Sequence, residues 1–341
     1  MRGILRNIPK IELHCHLDGS VRPETMYELL LQQEEDLHVS DIKEFEELVS
    51  VKEECNSLIE YLKKFSYPLK VMQRKENIER ITYELLEDLS IQNVKYVEIR
   101  FAPFLHMNDG LNFNDVVESV LKGMERGREE FNILSNAILI CMRHESLQNS
   151  LEVVEYGEKY LGKGVVAVDL AGNEQDFPPE IHKEAFELAR KKGYKITIHG
   201  GETGAVENIS KSIELLYAER IGHGIAAIKD PKVMELLREK NIYLEMCPIS
   251  NLQTKAVDSI ENYPIRKYME LGIGVTVNTD NTTVSNTSLE KEYKLLMEEL
   301  NFSIEEILKL IDNSVEAAFI SREEKETLRK KIQDELKELG L

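Results

Sequence analysis

Short strand-like runs, alternating with stretches of helical periodicity, constrain the fold of this chain more than any other feature. The first run is Ile11-Glu12-Leu13-His14-Cys15-His16-Leu17. It is followed by Tyr96-Val97-Glu98-Ile99-Arg100-Phe101, then by Ala137-Ile138-Leu139-Ile140-Cys141-Met142 and Val165-Val166-Ala167-Val168-Asp169-Leu170. Lys195–His199, Arg220–His223, Ile242–Met246 and Gly274–Asp280 bring the number to eight. Helical patterns lie between the later runs, at about 112–131, 147–160, 178–192, 205–217, 229–240 and 261–271. Strands alternating with helices build a parallel sheet, and a count of eight predicts a closed α/β barrel of the (β/α)8 TIM type. The competing arrangement, a doubly wound open sheet, carries a Gly-rich phosphate loop after its first strand, and none follows this one.

A long helical stretch, about 23–92, separates the first two runs. Within it Leu58, Tyr61, Leu62 and Phe65 recur at i, i+3, i+4 and i+7, an apolar stripe that packs into a core or walls a pocket. We expect one domain over 1–341, with this stretch inserted as a helical lid and extra helices at the C-terminal end. Ser303 with Glu306 and Ser321 with Glu324 fit the capping box that starts a helix.

A length of 341 residues suits an undivided barrel, and 42% hydrophobic with 31% charged residues is globular. The 62 acidic and 43 basic side chains give a net charge of -19, which argues against non-specific nucleic-acid binding. The four cysteines form no C-x-x-C pair, so neither a disulfide framework nor a thiolate zinc site is expected. Residues 1–9 lack the apolar core of a signal peptide, and no apolar run approaches membrane-spanning length. The expectation is a soluble cytoplasmic protein with a small-molecule partner, no nucleic acid and no membrane; its oligomeric state is left open.

Active sites of such barrels lie at the C-terminal ends of the strands. His14 and His16 share a face of the first strand, and strand five ends in His199-Gly200-Gly201-Glu202. Strand six ends in His223-Gly224, strand eight in Asp280-Asn281 and strand four in Asp169-Leu170-Ala171-Gly172-Asn173-Glu174. Five of the eight histidines, His144 the least clearly, stand in or at the ends of strand-like segments. That clustering points to a catalytic metal. His14, His16, His199 and Asp280 give three nitrogens and one oxygen, suited to zinc. A water would complete the site, its pKa lowered from about 15.7 toward ~7. Binuclear hydrolases of this architecture bridge their metals with a modified lysine at a middle strand end. Strand four has none there, so one metal per subunit is expected. Glu202 is placed to move a proton on the substrate, and His223 to orient or deprotonate the water.

Together His14-x-His16-Leu17-Asp18-Gly19-Ser20, Leu170-Ala171-Gly172-Asn173-Glu174, His199-Gly200-Gly201-Glu202, His223-Gly224 and Asn278-Thr279-Asp280 resemble the adenosine deaminase family. The likeness extends to Tyr61–Phe65 and to Val97–Pro103 and spans nearly the whole chain. It implies zinc-dependent hydrolysis of adenosine or 2'-deoxyadenosine to inosine or 2'-deoxyinosine and ammonia, in purine salvage. His14, His16, His199 and Asp280 would bind zinc, and Glu202, His223 and Asp280 would be catalytic. Protonated Glu202 would donate to purine N1, His223 would assist attack on C6, and Asp280 would accept a hydrogen bond from the attacking water. His16, Asp18, Gly172 and Asn281 would contact substrate, Asp18 at the ribose 5'-hydroxyl and the Gly172 N–H at N3. A carboxylate at the 5' position accepts a hydroxyl proton and repels phosphate, which favours a nucleoside over AMP.

Many family members carry aspartate where this chain has Asn281. That residue meets purine N7, an acceptor; an asparagine amide donates there without needing an extra proton. Deamination of adenine or another aminopurine nucleoside is the nearest alternative, and a silent nucleoside-binding barrel is the alternative from another class. His182-Lys183-Glu184 matches half of the H-x-E…P-C-x-x-C deaminase motif, whose second half is absent; it is expected to be an exposed helix start. Alternation from His14 turns Glu12 into the barrel, where Arg100 is its expected partner. Cys15, facing the helices, is expected to be inert.

Overall fold

The computed structural model describes residues 3–35, 37–51, 55 and 57–341. Positions 1, 2, 36, 52–54 and 56 lie outside the described residues, all but the first two of them in the segment read as a lid. Eight parallel strands follow one another in chain order: β1 (Lys10–His16), β2 (Val94–Phe101), β3 (Leu134–Met142), β4 (Val165–Ala171), β5 (Lys195–Gly200), β6 (Arg220–His223), β7 (Tyr243–Met246) and β8 (Val275–Val277). β1 also meets the chain after β8. The His16 N–H donates to Asp280 O at 2.7 Å, and the Asp280 N–H donates to His14 O at 2.8 Å. One rung is made by a side chain, Asn278 Oδ1 accepting from the Leu13 N–H at 3.0 Å. The sheet thus closes into the (β/α)8 barrel that the alternation predicts.

Each strand sorts its side chains by face. In β2, Val97, Ile99 and Phe101 join the apolar layer under the helices, while Glu98 and Arg100 are fully buried among other charges. Arg220 bridges Glu98 and Glu245, and Arg100 bridges Asp169 at 2.9 Å and Glu245 at 2.8 Å. Desolvating an ion costs several kcal/mol, so buried charges persist when paired and hydrogen-bonded, as these are.

Glu12 is fully buried, as its register predicts, but Arg100 is not its partner. Its carboxylate accepts from the His14 N–H, the Thr279 N–H and Thr279 Oγ1 at 3.0, 3.0 and 2.8 Å. Arg100 is instead drawn to two carboxylates and to Leu13 O, leaving Glu12 to two backbone N–H groups and the Thr279 hydroxyl. Cys15 lies in the apolar layer, and burial pushes its thiol up to about 12, which makes it inert as expected.

Helices Ile304–Ala317 and Arg322–Glu338 begin with the two capping boxes read from the sequence. The turn between them seals the barrel end away from the strand C-termini. Phe319 N–H donates to Glu98 at 2.6 Å, and Arg220 donates to Ala317 O at 2.8 Å. The segment after β1 forms helices Pro23–Gln32, Ile42–Val49, Leu58–Leu62 and Ser66–Val71, then Lys75–Ile91. The last packs closely on Phe113–Phe131, where a Cβ at Gly123 would stand 2.5 Å from Glu79 O. It therefore belongs to the outer ring of helices. No helix among the described residues is long and apolar enough to cross a membrane.

Candidate active site

Closing the barrel brings the ends of β1, β5 and β8 to one point. His16 Nε2 lies 3.1 Å from His199 Nε2 and 3.4 Å from Asp280 Oδ1, and His14 Nε2 lies 3.4 Å from the same oxygen. Ligand atoms held tetrahedrally at zinc distances are about 3.3 Å apart, so these are the edge lengths of a coordination shell.

The hydrogen bonds behind the cluster set its chemistry. Burial opposes ionisation of Glu245, but Arg100 and Arg220, then His14, outweigh it and hold the carboxyl well below the usual range. An ionised carboxylate only accepts, so His14 Nδ1–H donates to Glu245 at 2.8 Å and presents an Nε2 lone pair. Asp169 is likewise held ionised against burial by His199 and Arg100, and it takes the His199 Nδ1 proton at 3.1 Å. Asp280, ionised through its histidine neighbours despite burial, is fixed by Ser250 Oγ at 2.6 Å. His14 and His199 thus turn Nε2 lone pairs toward His16 and Asp280, and His14 Nε2 is buried without a hydrogen-bond partner. Such a cluster fits a metal cation.

His223 stands beside this group. One ligand atom each from His14, His199, His223 and Asp280 can be chosen within 4.8 Å of the others. Its hydrogen bonds set it apart, however. The Cys247 N–H and the Tyr263 hydroxyl occupy Asn251 Oδ1 at 3.3 and 2.9 Å, so Asn251 Nδ2 donates to His223 Nδ1 at 2.9 Å. Burial pulls the His223 pKa down to about 4, leaving a neutral ring whose proton is on Nε2. His16, which has no such constraint, lies outside that group of four, although its Nε2 is 3.4 Å from Asp280 Oδ1. His223 and Asp280 hold φ of +64° and +62°, strain of about 1–3 kcal/mol each that gathers at functional sites.

Glu202 is 8% exposed, its Oε1 has no hydrogen-bond partner, and Oε2 lies 3.7 Å from His223 Nε2. Burial first and Asp280 second push its carboxyl up to about 7. Glu174 grips the chain on either side of it, accepting from the N–H groups of Gly201 and Thr203 at 2.9 and 2.7 Å.

These groups open into a cavity of about 520 Å³. Asp18, Gly172 and Asn281 line it, and so do Leu58, Tyr61, Leu62 and Phe65, so the stripe on the lid helix walls a pocket. Burial raises the Asp18 carboxyl to about 6, and Gly172 holds φ +109°, which disfavours a side chain there. His144 reaches the cavity but its side chain is 47% exposed, away from the metal cluster. His182 corrects the sequence reading. Rather than exposed, it is fully buried, joining Ser150 Oγ at 2.9 Å to Arg143 O at 3.1 Å.

Residues 9–335 match the family model described as adenosine deaminase. The chain belongs to the adenosine deaminase family. An adenosine deaminase of Clostridium kluyveri is 51% identical over 324 residues, covering 95% of this chain and 93% of the relative. Among solved structures, an adenine deaminase from Arthrobacter aurescens superposes with a TM-score of 0.89 at 26% identity, covering 97% of this chain and 99% of that one. The N6-methyl-AMP deaminase of Arabidopsis thaliana superposes with a TM-score of 0.86 at 28% identity over 98% of each chain. The chain is accordingly a hydrolase. Within its adenosine deaminase fold, several supporting residues had no role in the sequence reading. Glu245 is legible as a charge inside an apolar strand, and Glu174 as the end of the Leu170–Glu174 motif. Ser250 and Asn251 carry no such signal, because only barrel closure brings them to Asp280 and His223.

Proposed function

We propose that the chain hydrolyses the 6-amino group of adenosine and 2'-deoxyadenosine, releasing ammonia and inosine or 2'-deoxyinosine, as a step of purine salvage. The observation that carries this reading is one cavity holding both a cluster of metal-seeking lone pairs and a carboxyl, Glu202, whose pKa is raised to about 7. His14, His16, His199 and Asp280 are assigned as ligands of one zinc ion, a metal that suits three imidazoles and a carboxylate. Bound there, zinc supplies Lewis-acid activation of water at neutral pH.

The remaining work falls to the chain. Glu202 donates its proton to purine N1, which draws electron density from C6 and opens it to attack. Asp280 accepts a hydrogen bond from the attacking water, and His223 orients it by donating from Nε2. The water proton taken up at Asp280 passes to the departing amino nitrogen as the C6–N bond breaks, so ammonia leaves, and the proton of the new C6 hydroxyl restores Glu202. His16 borders the purine, the Gly172 N–H meets N3, and the Asn281 amide donates to N7.

Asp18 is assigned to the ribose 5'-hydroxyl. A cavity of about 520 Å³ suits a nucleoside, and among the described residues that line it none is lysine or arginine. A phosphate would therefore meet Asp18 without a compensating cation, which favours nucleoside over nucleotide. The test is ammonia release from adenosine, 2'-deoxyadenosine, adenine and AMP. Both nucleosides should turn over, with adenine and AMP far behind. Faster turnover of adenine than adenosine would refute the role given to Asp18.

A further inference from the structure

Tyr61 brings a hydroxyl to a lid face otherwise built from Leu58, Leu62 and Phe65. Its ring is buried with Val51, Cys55 and Val284, and its hydroxyl lies 2.6 Å from Ser285 Oγ and 2.9 Å from Asn281 Nδ2.

The direction of these bonds is fixed from one end. An amide nitrogen only donates, so at 2.9 Å the Tyr61 oxygen accepts from Asn281 Nδ2. The Tyr61 proton is then left for Ser285 Oγ at 2.6 Å. An asparagine amide has two N–H donors and one acceptor. Tyr61 takes one N–H and turns Oδ1 toward Gly19, where an added Cβ would stand only 1.7 Å from it. The second N–H is left for whatever occupies the cavity. Without a fixed acceptor the two ends of the amide are nearly interchangeable, and the flipped form would present Oδ1 to a ring nitrogen that also accepts.

We propose that Tyr61 is a positioning residue: the seated lid supplies the acceptor that commits Asn281 to donating an N–H to the purine. The inference rests on the assignment of Asn281 to N7, and the experiment separates the two.

Tyr61→Phe keeps the ring and its packing while removing the acceptor. It is compared with Asn281→Ala and with the double variant, using adenosine as substrate and 7-deazaadenosine, which lacks the N7 acceptor, as competitive inhibitor. Each single variant should lower kcat/KM for adenosine about tenfold and leave the 7-deazaadenosine inhibition constant unchanged. The double variant should lose no more than Asn281→Ala alone. Equal weakening of both ligands by Tyr61→Phe would make Tyr61 a packing residue and overturn the proposal. So would a selective loss in Asn281→Ala with none in Tyr61→Phe. An unselective Asn281→Ala would place the failure in the N7 assignment, and the proposal would fall with it.

Discussion

Glu202 shows most plainly how a single residue is prepared for this chemistry. Its raised pKa comes first from burial and then from the Asp280 carboxylate, and both favour the protonated form the reaction needs. The active form is the acid, so kcat/KM for adenosine should fall as pH rises through about 7, the value to which the Glu202 carboxyl is pushed. Glu202→Gln should cost about 10²–10⁴-fold in kcat and remove that alkaline limb. A pH–rate profile of both proteins checks this, and an unchanged limb in the variant would assign it to another group. At this scale the sequence was legible where residue type and strand position coincide, as at His14, His16, His199 and Asp280. It was mute on Asn251, whose effect on the His223 proton depends on which end of its amide the Cys247 N–H meets.

Among the elements, β6 packs directly against the metal-facing histidines. A Cβ at Gly222 would stand 2.9 Å from His14 Cε1 and 3.2 Å from His199 Cα, so glycine there allows two metal-facing histidines to approach each other. Gly222→Ala should push the His14 ring off Glu245 and weaken metal binding about 10–100-fold, as loss of an outer-shell partner does. Metal titration of the variant against a competing chelator measures this; full affinity would mean the ring adjusts without loss. The strands themselves were readable because apolar and polar residues alternate along them. Their limits were less so. The eighth was expected to run to Asp280 but ends at Val277, because the Asn278 side chain makes a rung and Asp280 turns to φ +62°. Helix Lys75–Ile91 was grouped with the lid because periodicity alone does not tell which surface a helix covers.

Across the whole molecule, one buried ionic network joins the seal at the closed end of the barrel to the metal cluster at the open one. Phe319 meets Glu98, Glu98 meets Arg220, and Arg220 meets Glu245, which holds His14. Arg100 then ties Glu245 to Asp169, the carboxylate behind His199. Arg100→Met would leave both carboxylates under-neutralised and should cost about 3–5 kcal/mol of stability, measured by denaturant unfolding. A loss within 1 kcal/mol would show that Arg220 and the histidines suffice. The inward glutamates and arginines were visible in the sequence as charges within apolar runs, but their pairing was not. Alternation says which face a side chain takes, whereas the choice of Asp169 and Glu245 over Glu12 depends on depth in the closed barrel.

The division of labour among the histidines is the centre of this account. It is tested most directly by metal content and adenosine turnover in the purified protein, His16→Ala and His223→Ala. The native protein should hold one zinc per chain and deaminate adenosine. His16→Ala should lose both metal and activity, while His223→Ala should keep its metal and lose only activity. A His223→Ala protein without zinc beside a His16→Ala protein that retains it would contradict the account.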